Sequence, residues 1–574
     1  MKLTVQGQGD VTLTQADFLA SGGEGQVYCK GATAYKVYTD PTRCIPVGKL
    51  TELARIKDPD VVKPDVLLLD PKKNTPVGYT MRFVTDTLPL CQTFTRAFRE
   101  REGLDHPKML HLVRELQTRL TNVHAAGILI VDANEMNFLT DVAFSKVYAI
   151  DVDSYQTPHY PATAIMPSVR DWSVLNNDFT EGSDWFSFAC VAFQMFTGIH
   201  PYKGKHPAYS GPDAMTERMK AGVSVFAPGV SFPKVVYPFD VMPPAYLAWF
   251  RAVLQDGKRM APPTGLLQAA PSPSGGVAPT VLSGDNVLDI QELHAWTDPV
   301  MGVCGLPGGQ AVAWTAKGVY LGKQLVYARA PSDPPVRGVG LSLKQATPVV
   351  AWIEGGRLCM WDVLFKRSIP LDIRADQVVC HDGRVYVRSG DTLVEVVLTD
   401  MGSTVVASPR IAARILPHAS RLYEGCLVQD MLGSKFVTVL PRAGIAPQIR
   451  APELDSYAVL DARFDGRVLM VLGTKGGRYD RLVFTLDESF GTLLLRTLVP
   501  DVGPGGSLNF VSLDNGVTVH LTEEEHLEVW SHVSLKSRVV DSKVLGAAPP
   551  MRLVKSGGRV AFLRGNSLSS MRIK

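Results

Sequence analysis

A glycine-rich segment near the N-terminus is followed by a lysine at a spacing that suits phosphate binding. In residues 18–38, FLASGGEGQVYCKGATAYKVY, a turn lies between two strand-like runs and the lysine follows one hairpin later. Backbone amides of such a turn can approach nucleotide phosphates, and the lysine can pair with the α- and β-phosphates. Gly22, Gly25, Val27 and Lys36 occupy these places. A plain glycine-rich hairpin with a solvated lysine is the alternative.

An aspartate and an asparagine form the second candidate group. They are Asp132 and Asn137 in HAAGILIVDANEMNFL, residues 124–139, directly after an amphipathic segment. At this D-x-x-x-x-N spacing, phosphoryl-transfer enzymes use the aspartate to accept the proton of the substrate hydroxyl and the asparagine to hold magnesium. The same two residue types also occur in ordinary turns.

A further aspartate follows a hydrophobic strand. Asp151, in IDVDSYQ, comes directly after the strand-like SKVYAI. A carboxylate at the end of such a strand, behind the D-x-x-x-x-N segment, is typical of a second magnesium ligand. The three elements agree in order and spacing, and together they predict a site for a nucleotide and magnesium.

Two helices that must position these residues are visible in the hydrophobic pattern. Six apolar residues ahead of the D-x-x-x-x-N segment have the spacing of one helix face: Met109, Leu112, Val113, Leu116, Leu120 and Val123. Residues 183–204, SDWFSFACVAFQMFTGIHPYKG, are almost wholly apolar and predict a buried helix that runs from Ser-Asp to Thr-Gly. Its first aspartate, Asp184, can accept backbone hydrogen bonds at the helix start.

Residues 12–262 resemble protein kinases, and more closely a bacterial group of kinase-like proteins related to YegI. The likeness rests on PVGYTMRFV, VDANEMNFL, AIDVDSYQ and DWFSFACVAFQMFTGIHPYKG. The resemblance implies a two-lobed α+β fold with ATP in the cleft. It also implies that Lys36 contacts the phosphates, that Asp132 is the base, and that Asn137 and Asp151 bind magnesium.

Three positions near the base depart from the kinase pattern. Ile130 and Val131 replace the His-Arg pair before Asp132, so control by phosphorylation of the activation segment is not expected. Asn134 stands where these kinases usually have a lysine that contacts the γ-phosphate. The substitution removes one positive charge from the transition state.

Other positions lack their usual partner or gain a new group. Asp153 replaces the glycine of the kinase DFG motif and adds a carboxylate that could touch a metal. Ser168 stands at the place of the usual APE glutamate, so Arg259, which resembles that glutamate's partner, needs another acid or is solvated. Glu52, in KLTELARIKD, is the candidate for the helix glutamate that pairs with Lys36; a surface position is its alternative.

The second half of the chain has a different composition. Residues 263–284 are rich in Pro, Gly and Ser and predict a linker. Over 285–574, short strands alternate with turn glycines whose intervals average about 40 residues, the repeat of a four-stranded propeller blade: Gly318, Gly356, Gly383, Gly425, Gly466, Gly516 and Gly558. We predict an all-β domain, a six- or seven-bladed β-propeller whose last blade the strand-like VLDIQELHAW could complete. A sandwich or two stacked β domains would give similar strands.

Composition limits the class of protein. A chain of 574 residues with 45% hydrophobic and 20% charged residues can form more than one core. The net charge of +3 and the scattered Lys and Arg residues indicate no nucleic-acid surface. Without a signal peptide or a run of about 18 apolar residues, a cytoplasmic protein with no membrane contact is expected. Eight widely spaced cysteines predict reduced thiols.

These features lead to three functional hypotheses. The first is an ATP- and magnesium-dependent Ser/Thr-type protein kinase whose β domain binds a protein substrate or partner. The second is a pseudokinase scaffold that binds partners, and nucleotide only as a structural ligand, which the departures near the base favour. The third is a kinase-fold phosphotransferase with a small-molecule acceptor.

Overall fold

A computed structural model describes residues 1–233, 236–264, 288–330, 332–502, 506, 508–523, 526–531, 537–540, 551–556 and 558–573. The described residues form two compact units. The first takes residues 1–264 with 475–479 and Val502, and the second takes the described residues of 288–474, of 480–501 and from 506 onward. The linker expected over 263–284 lies, from residue 265 on, outside the described residues.

The first unit contains two antiparallel sheets. Seven strands form a sheet of order β2-β1-β6-β7-β5-β4-β3: β1 (Lys2–Val5), β2 (Gly9–Thr12), β3 (Phe18–Ser21), β4 (Gly25–Lys30), β5 (Thr33–Tyr38), β6 (Leu67–Leu69) and β7 (Pro76–Arg82). Three strands form a smaller sheet of order β10-β9-β8: β8 (Thr87–Pro89), β9 (Phe138–Asp141) and β10 (Val147–Ala149). Because β1 and β2 belong to the larger sheet, this unit begins before residue 12, where the sequence pattern placed the start of the domain.

Six α-helices are present in the described part of the chain, all of them in the first unit. They are α1 (Val47–Leu53), α2 (Arg96–Glu102), α3 (His106–His124), α4 (Glu181–Thr197), α5 (Ala214–Ala221) and α6 (Pro244–Phe250). The last continues as one π-helical turn over Arg251–Gln255.

The two longest helices form the core around which the site is built. In α3, the six apolar residues predicted for one face are all buried. In α4, every residue from Ser183 to Thr197 is buried, and the helix ends at Gly198 with a left-handed φ of 76°. Both predictions are confirmed. Burying each large apolar side chain contributes about 1.5–3 kcal/mol to the free energy of folding, so the packing of α4 is strongly stabilised.

The second unit consists of seven four-stranded sheets in the described residues. Six of them pair four consecutive strands in chain order: β12 (Gly302–Gly305), β13 (Ala311–Thr315), β14 (Gly318–Leu321) and β15 (Gln324–Ala328); β16 (Gly338–Leu341), β17 (Pro348–Glu354), β18 (Arg357–Asp362) and β19 (Arg367–Ser368); β20 (Gln377–His381), β21 (Arg384–Ser389), β22 (Thr392–Asp400) and β23 (Val405–Arg414); β24 (Ser420–Tyr423), β25 (Cys426–Met431), β26 (Ser434–Val439) and β27 (Gln448–Arg450); β28 (Ala458–Asp465), β29 (Val468–Lys475), β30 (Arg478–Leu486) and β31 (Leu493–Val499); β32 (Phe510–Ser512), β33 (Val517–Leu521), β34 (Leu527–Ser531) and β35 (Ser537–Val540).

The seventh sheet joins the two ends of this unit. Its order is β11-β38-β37-β36, with β11 at Leu288–Ala295, β36 at Met551–Ser556, β37 at Arg559–Arg564 and β38 at Ser567–Ile573. The strand β11 pairs antiparallel with β38. The described part of the VLDIQELHAW segment thus pairs with the final strand, an arrangement that the sequence left open.

The recurring glycines lie at the sheet turns. Four of them fall between the first two strands of their sheet, at Gly383, Gly425, Gly466 and Gly516, and Gly558 falls between β36 and β37. At Gly425, φ is 77° and an added Cβ would lie 2.3 Å from the carbonyl oxygen of Phe464, so no side chain fits.

All eight cysteines are free thiols. No helix within the described ranges is long and apolar enough to cross a membrane.

Candidate functional site

The glycine-rich turn joins β3 to β4 and places its residues beside Lys36. The backbone N–H of Gly22 donates to the carbonyl oxygen of Gly25 at 2.9 Å. A Cβ on Gly25 would lie 2.4 Å from the carbonyl oxygen of Val37, so the close approach of β4 and β5 requires glycine. The pairing of these two strands puts Val27 directly opposite Lys36. The four residues predicted for phosphate contact thus lie in one region.

Lys36 is buried and forms ion pairs with two aspartates. Its Nζ lies 2.6 Å from Oδ1 of Asp151 and 2.8 Å from Oδ2 of Asp153. Burial alone would lower the pKa of Lys36, but the charges of Asp153 and Asp151 outweigh it, and the pKa is raised. Lys36 therefore remains a cation at neutral pH.

The two aspartates differ in exposure and in charge balance. The side chain of Asp151 is 40% exposed and that of Asp153 only 3%. Burial, partly opposed by Lys36 and assisted by the charge of Asp153, raises the pKa of Asp151. Burial acts on Asp153 too, but Lys36 and two tyrosine hydroxyls outweigh it and lower its pKa. Asp151 is thus the accessible carboxylate and Asp153 the enclosed one.

Tyr38 and Tyr79 are site residues that the sequence did not reveal. The Tyr79 hydroxyl donates to Oδ1 of Asp153 at 2.6 Å, and the Tyr38 hydroxyl donates to Oδ2. Tyr38 lies two residues after Lys36 on β5, and Tyr79 is the direct cross-strand partner of Lys36 on β7. Alternation along β5 could have suggested Tyr38. The register of β5 against β7 is non-local, so no sequence signal pointed to Tyr79.

Two non-glycine residues in the site have a left-handed backbone. They are Val131, with a φ of 65°, and Asp151, with a φ of 59°. Such conformations cost about 1–3 kcal/mol each and persist only where the surroundings fix them. Val131 directly precedes the candidate base Asp132, and Asp151 is itself the candidate magnesium ligand; strained backbone of this kind clusters at functional sites in proteins.

Asp184 fixes the loop that carries Asp132. Its Oδ1 accepts the Val131 N–H at 2.8 Å, and its Oδ2 accepts the Ile130 N–H at 2.8 Å. Nε2 of His124 lies 2.8 Å from the same Oδ2. The carboxylate is fully buried.

Asp184 was expected to accept backbone hydrogen bonds at the start of α4, but its carboxylate bonds to the loop before Asp132 instead. The start of α4 is capped by a reciprocal pair between Thr180 and Ser183, which leaves the carboxylate of Asp184 for the loop. The residue therefore connects the most buried helix of the first unit to the candidate base.

Asp132 and Asn137 are held by backbone groups from neighbouring segments. Oδ1 of Asp132 accepts the Met166 N–H at 2.9 Å. Nδ2 of Asn137 donates to the carbonyl oxygen of Asp132 at 3.0 Å, and the Asn137 carbonyl accepts the Ile150 N–H at 2.9 Å. Since Ile150 directly precedes Asp151, Asn137 connects the two loops that carry the candidate acids.

Asn134, at the position where a lysine was expected, is bonded within its own turn. Its Oδ1 accepts the Met136 N–H at 2.8 Å, and its side chain is buried within the turn. Asn137 N–H also donates to the Asn134 carbonyl at 3.1 Å. The residue shapes the loop and presents no charge.

The pairing expected between Glu52 and Lys36 is wrong. Glu52 lies at the end of the two-turn helix α1, and its Oε1 lies 2.5 Å from Nδ1 of His159. The carboxylate also accepts the His159 backbone N–H at 3.3 Å. Only 8% of the Glu52 side chain is exposed, so the surface alternative does not hold either. The physical reason is that Asp151 and Asp153 already balance the charge of Lys36.

Ser168 and Arg259, which stand at the positions of the usual APE glutamate and its arginine partner, each bond to a different residue. Ser168 is buried, and its carbonyl accepts the Nε2–H of His200 at 2.7 Å. Burial lowers the pKa of His200 to about 3, so this imidazole is neutral at physiological pH. Arg259 is not solvated: it pairs with Asp171, which follows three residues after Ser168.

The described residues contain no group of three or more His, Cys, Asp or Glu side chains that could hold a metal ion by themselves. A magnesium ion that is shared with a nucleotide needs only one or two protein carboxylates, because phosphate oxygens and water complete its shell. A scan against protein-family models and a search of curated proteins both returned no match for this chain.

Proposed function

We propose that the first unit is an ATP- and magnesium-dependent protein kinase of the Ser/Thr type, with the two-lobed kinase fold that its sequence resembles. The observation that carries the proposal is the 2.6 Å ion pair between Lys36 and Asp151, which are 115 residues apart in the chain. Separate motifs assigned Lys36 to phosphate and Asp151 to magnesium. Their direct contact supports one common site.

The residues present fit ATP and magnesium. Asp151 offers an accessible carboxylate and Asn137 an amide oxygen, and hard oxygen donors of this kind are what Mg²⁺ prefers. Lys36 and the backbone around Gly22 and Gly25 supply positive charge and N–H groups for phosphate oxygens. A bound magnesium ion would neutralise charge on the phosphates.

We assign the role of base to Asp132 in this proposal. The Met166 N–H engages its Oδ1, and in the described residues Oδ2 accepts no hydrogen bond, which leaves that oxygen for the hydroxyl of a substrate. Asn137 and Asp184 fix the backbone on either side. Accurate placement of base and acceptor supplies much of the rate in phosphoryl transfer, because the protein has little covalent chemistry to perform.

A pseudokinase is the second candidate, and Asn134 favours it. In a site without the usual lysine, the transition state loses one positive charge, and Asn134 is buried and bonded within its own turn. Such a protein would bind nucleotide through Lys36 and Asp151 without transferring the γ-phosphoryl group. Binding alone therefore cannot separate the two functions, whereas transfer can.

For the second unit we propose a seven-bladed β-propeller that binds a protein partner or substrate. The seven four-stranded sheets and the pairing of β11 with β38, which joins the first strand of the unit to its last sheet, support this architecture. An experimental density map with seven sheets around one axis is the expected result. Two separate stacked sandwiches in that map would overturn it.

Thermal unfolding with ligands tests the nucleotide site. ATP should stabilise the wild-type protein more in the presence of magnesium than in EDTA, since a ligand at 100 times its Kd adds about 2.7 kcal/mol to the folded state. Asp151→Asn should remove the increment that magnesium adds. An unchanged magnesium increment in that variant would contradict the metal role of Asp151, and no stabilisation of the wild type would contradict the site itself.

A further inference from the structure

Both carboxylate oxygens of Asp153 accept hydrogen bonds from donors within the protein. Oδ1 accepts from Nζ of Lys36 at 2.9 Å and from the Tyr79 hydroxyl at 2.6 Å. Oδ2 accepts from Nζ of Lys36 at 2.8 Å and from the Tyr38 hydroxyl. A carboxylate has about four lone-pair positions, and all of them are used here. Its side chain is only 3% exposed.

This saturation distinguishes Asp153 from Asp151. Asp151 contacts Lys36 through one oxygen and is 40% exposed, so its second oxygen is available to a ligand. A metal ion at Asp153 would have to displace a buried ammonium or a buried hydroxyl, and either group would then lose its partner at a cost. From the sequence, the Asp153 carboxylate could contact either a metal or another group. The geometry assigns this carboxylate to Lys36.

Three donors reach Asp153 from one face of the larger sheet. Lys36 and Tyr38 are two residues apart on β5, so their side chains lie on the same face. Tyr79 on β7 is the cross-strand partner of Lys36. The Lys36 Nζ also lies 5.4 Å from the ring centroid of Tyr38 and 5.8 Å from that of Tyr79. Lys36 is thus enclosed by fixed groups on several sides.

Helix α1 makes no comparable contact with the lysine. Its glutamate, Glu52, is engaged by His159, as described above. Among the described residues, the ion-pair partners of Lys36 are Asp151 and Asp153, and both belong to the segment after β10. Lys36 is therefore held by that segment and by the sheet, and among the described residues Glu52 of α1 forms no ion pair with it.

We propose that Asp153 is the positioning residue that holds Lys36 for the phosphates of a nucleotide, in place of a glutamate from helix α1. The assignment rests on the proposed function, because it deepens the account of the same site.

Equilibrium binding of ADP to the full-length protein in EDTA tests the proposal without turnover and without metal. Asp153→Asn keeps the shape of the side chain but presents an amide to Lys36. We expect it to weaken ADP binding by about 10- to 100-fold, the range that loss of a charge-assisted hydrogen bond produces. Binding of adenosine, which has no phosphate, should be unchanged. Glu52→Gln is the matched control and should change neither affinity.

Two outcomes would overturn the assignment. A loss of ADP affinity in Asp153→Asn that appears with magnesium and vanishes in EDTA would make Asp153 a metal ligand. An equal loss in Glu52→Gln would return the anchoring role to α1.

Acylation of nucleotide-free protein by an amine-selective reagent gives a second readout. Peptide mapping should show Lys36 modified several-fold faster in Asp153→Asn than in the wild type or in Glu52→Gln. If the wild type does not bind ADP, the proposed function fails, yet this measurement still tests the contact between Asp153 and Lys36.

A second variant covers the case in which circular dichroism shows that Asp153→Asn is unfolded. Tyr79→Phe, which removes one donor to Asp153, should accelerate the modification of Lys36 to a smaller degree. Unchanged Lys36 modification in the folded variant would refute the proposal.

Discussion

Asp171 and Arg259 form an ion pair through two contacts, although they lie 88 residues apart. Nε of Arg259 donates to Oδ2 at 2.5 Å, and the second guanidinium nitrogen donates to Oδ1 at 2.8 Å. The guanidinium also lies 4.6 Å from the ring centroid of Phe186 in α4. The pair connects the segment that follows the candidate base to the end of the first unit. Its planar two-point geometry is the one that arginine supplies and lysine cannot.

Loss of this pair should destabilise the first unit. Removing one partner of a buried pair costs about 3–5 kcal/mol. Because the Arg259 side chain is 25% exposed and that of Asp171 only 2%, we expect Asp171→Asn to cost about 2–3 kcal/mol. Hydrogen exchange of α4 peptides under increasing urea measures this free energy within the first unit.

An exposed pair in the second unit, followed through hydrogen exchange of β22 peptides in the same urea series, provides the control for that measurement. Arg414 and Asp391 lie 3.1 Å apart with side chains 69% and 65% exposed. Asp391→Asn should change stability by less than about 1 kcal/mol. Equal effects of the two substitutions would show that the Asp171 pair contributes no more than an ordinary surface pair.

Asp184 should be needed for the placement of Asp132. Asp184→Asn keeps the volume but leaves one acceptor oxygen for the N–H groups of Ile130 and Val131. We expect faster hydrogen exchange at those two amides and a fall in phosphoryl transfer of about 100-fold, the cost of displacing a catalytic group by about 1 Å. Asp178→Asn, at an exposed position in the segment before α4, is the control and should leave both unchanged. Unaltered hydrogen exchange at the amides of residues 130 and 131 would show that Asp184 does not position the loop that carries Asp132.

His200 should make the first unit sensitive to moderate acid. Its folded pKa is about 3, below the ordinary value of about 6.5, so the unfolded chain binds a proton that the folded chain does not. The stability that this histidine contributes is present above about pH 6.5 and declines as pH falls toward 3. Between pH 7 and pH 5 the loss is about 2 kcal/mol.

The comparison with His200→Gln isolates this effect from all other titrating groups. Glutamine keeps a donor toward the Ser168 carbonyl and does not titrate. Urea unfolding at pH 7 and pH 5 should show a drop in α4 protection that is about 2 kcal/mol smaller in the variant than in the wild type. An identical drop in both proteins would show that His200 can be protonated while folded.

The sequence predicted those parts of the site that depend on local order along the chain. Asp132, Asn137 and Asp151 could be found because each follows or precedes a recognisable strand or helix at a fixed spacing. The burial of α4 could be predicted because its residues are apolar on every face.

The parts that could not be predicted depend on pairings between distant segments. Tyr79 reaches Asp153 through the register of β7 against β5, and no local pattern encodes a register. The place of Glu52 in a short helix suggests a pairing with Lys36, but its actual partner, His159, lies 107 residues later in the chain. Spacing identifies which residue types are available, whereas tertiary packing decides which of them meet.

Transfer of label from γ-labelled ATP, with magnesium and a generic protein acceptor, tests the proposed kinase activity itself. The full-length wild type and its Asp132→Ala form are compared on a protein gel, after both have been shown to be stabilised by ATP and magnesium. We expect label on protein with the wild type and none with Asp132→Ala, because only the wild type has a base for the acceptor hydroxyl. Absence of label with both proteins, despite nucleotide binding, would contradict kinase activity and support the pseudokinase scaffold.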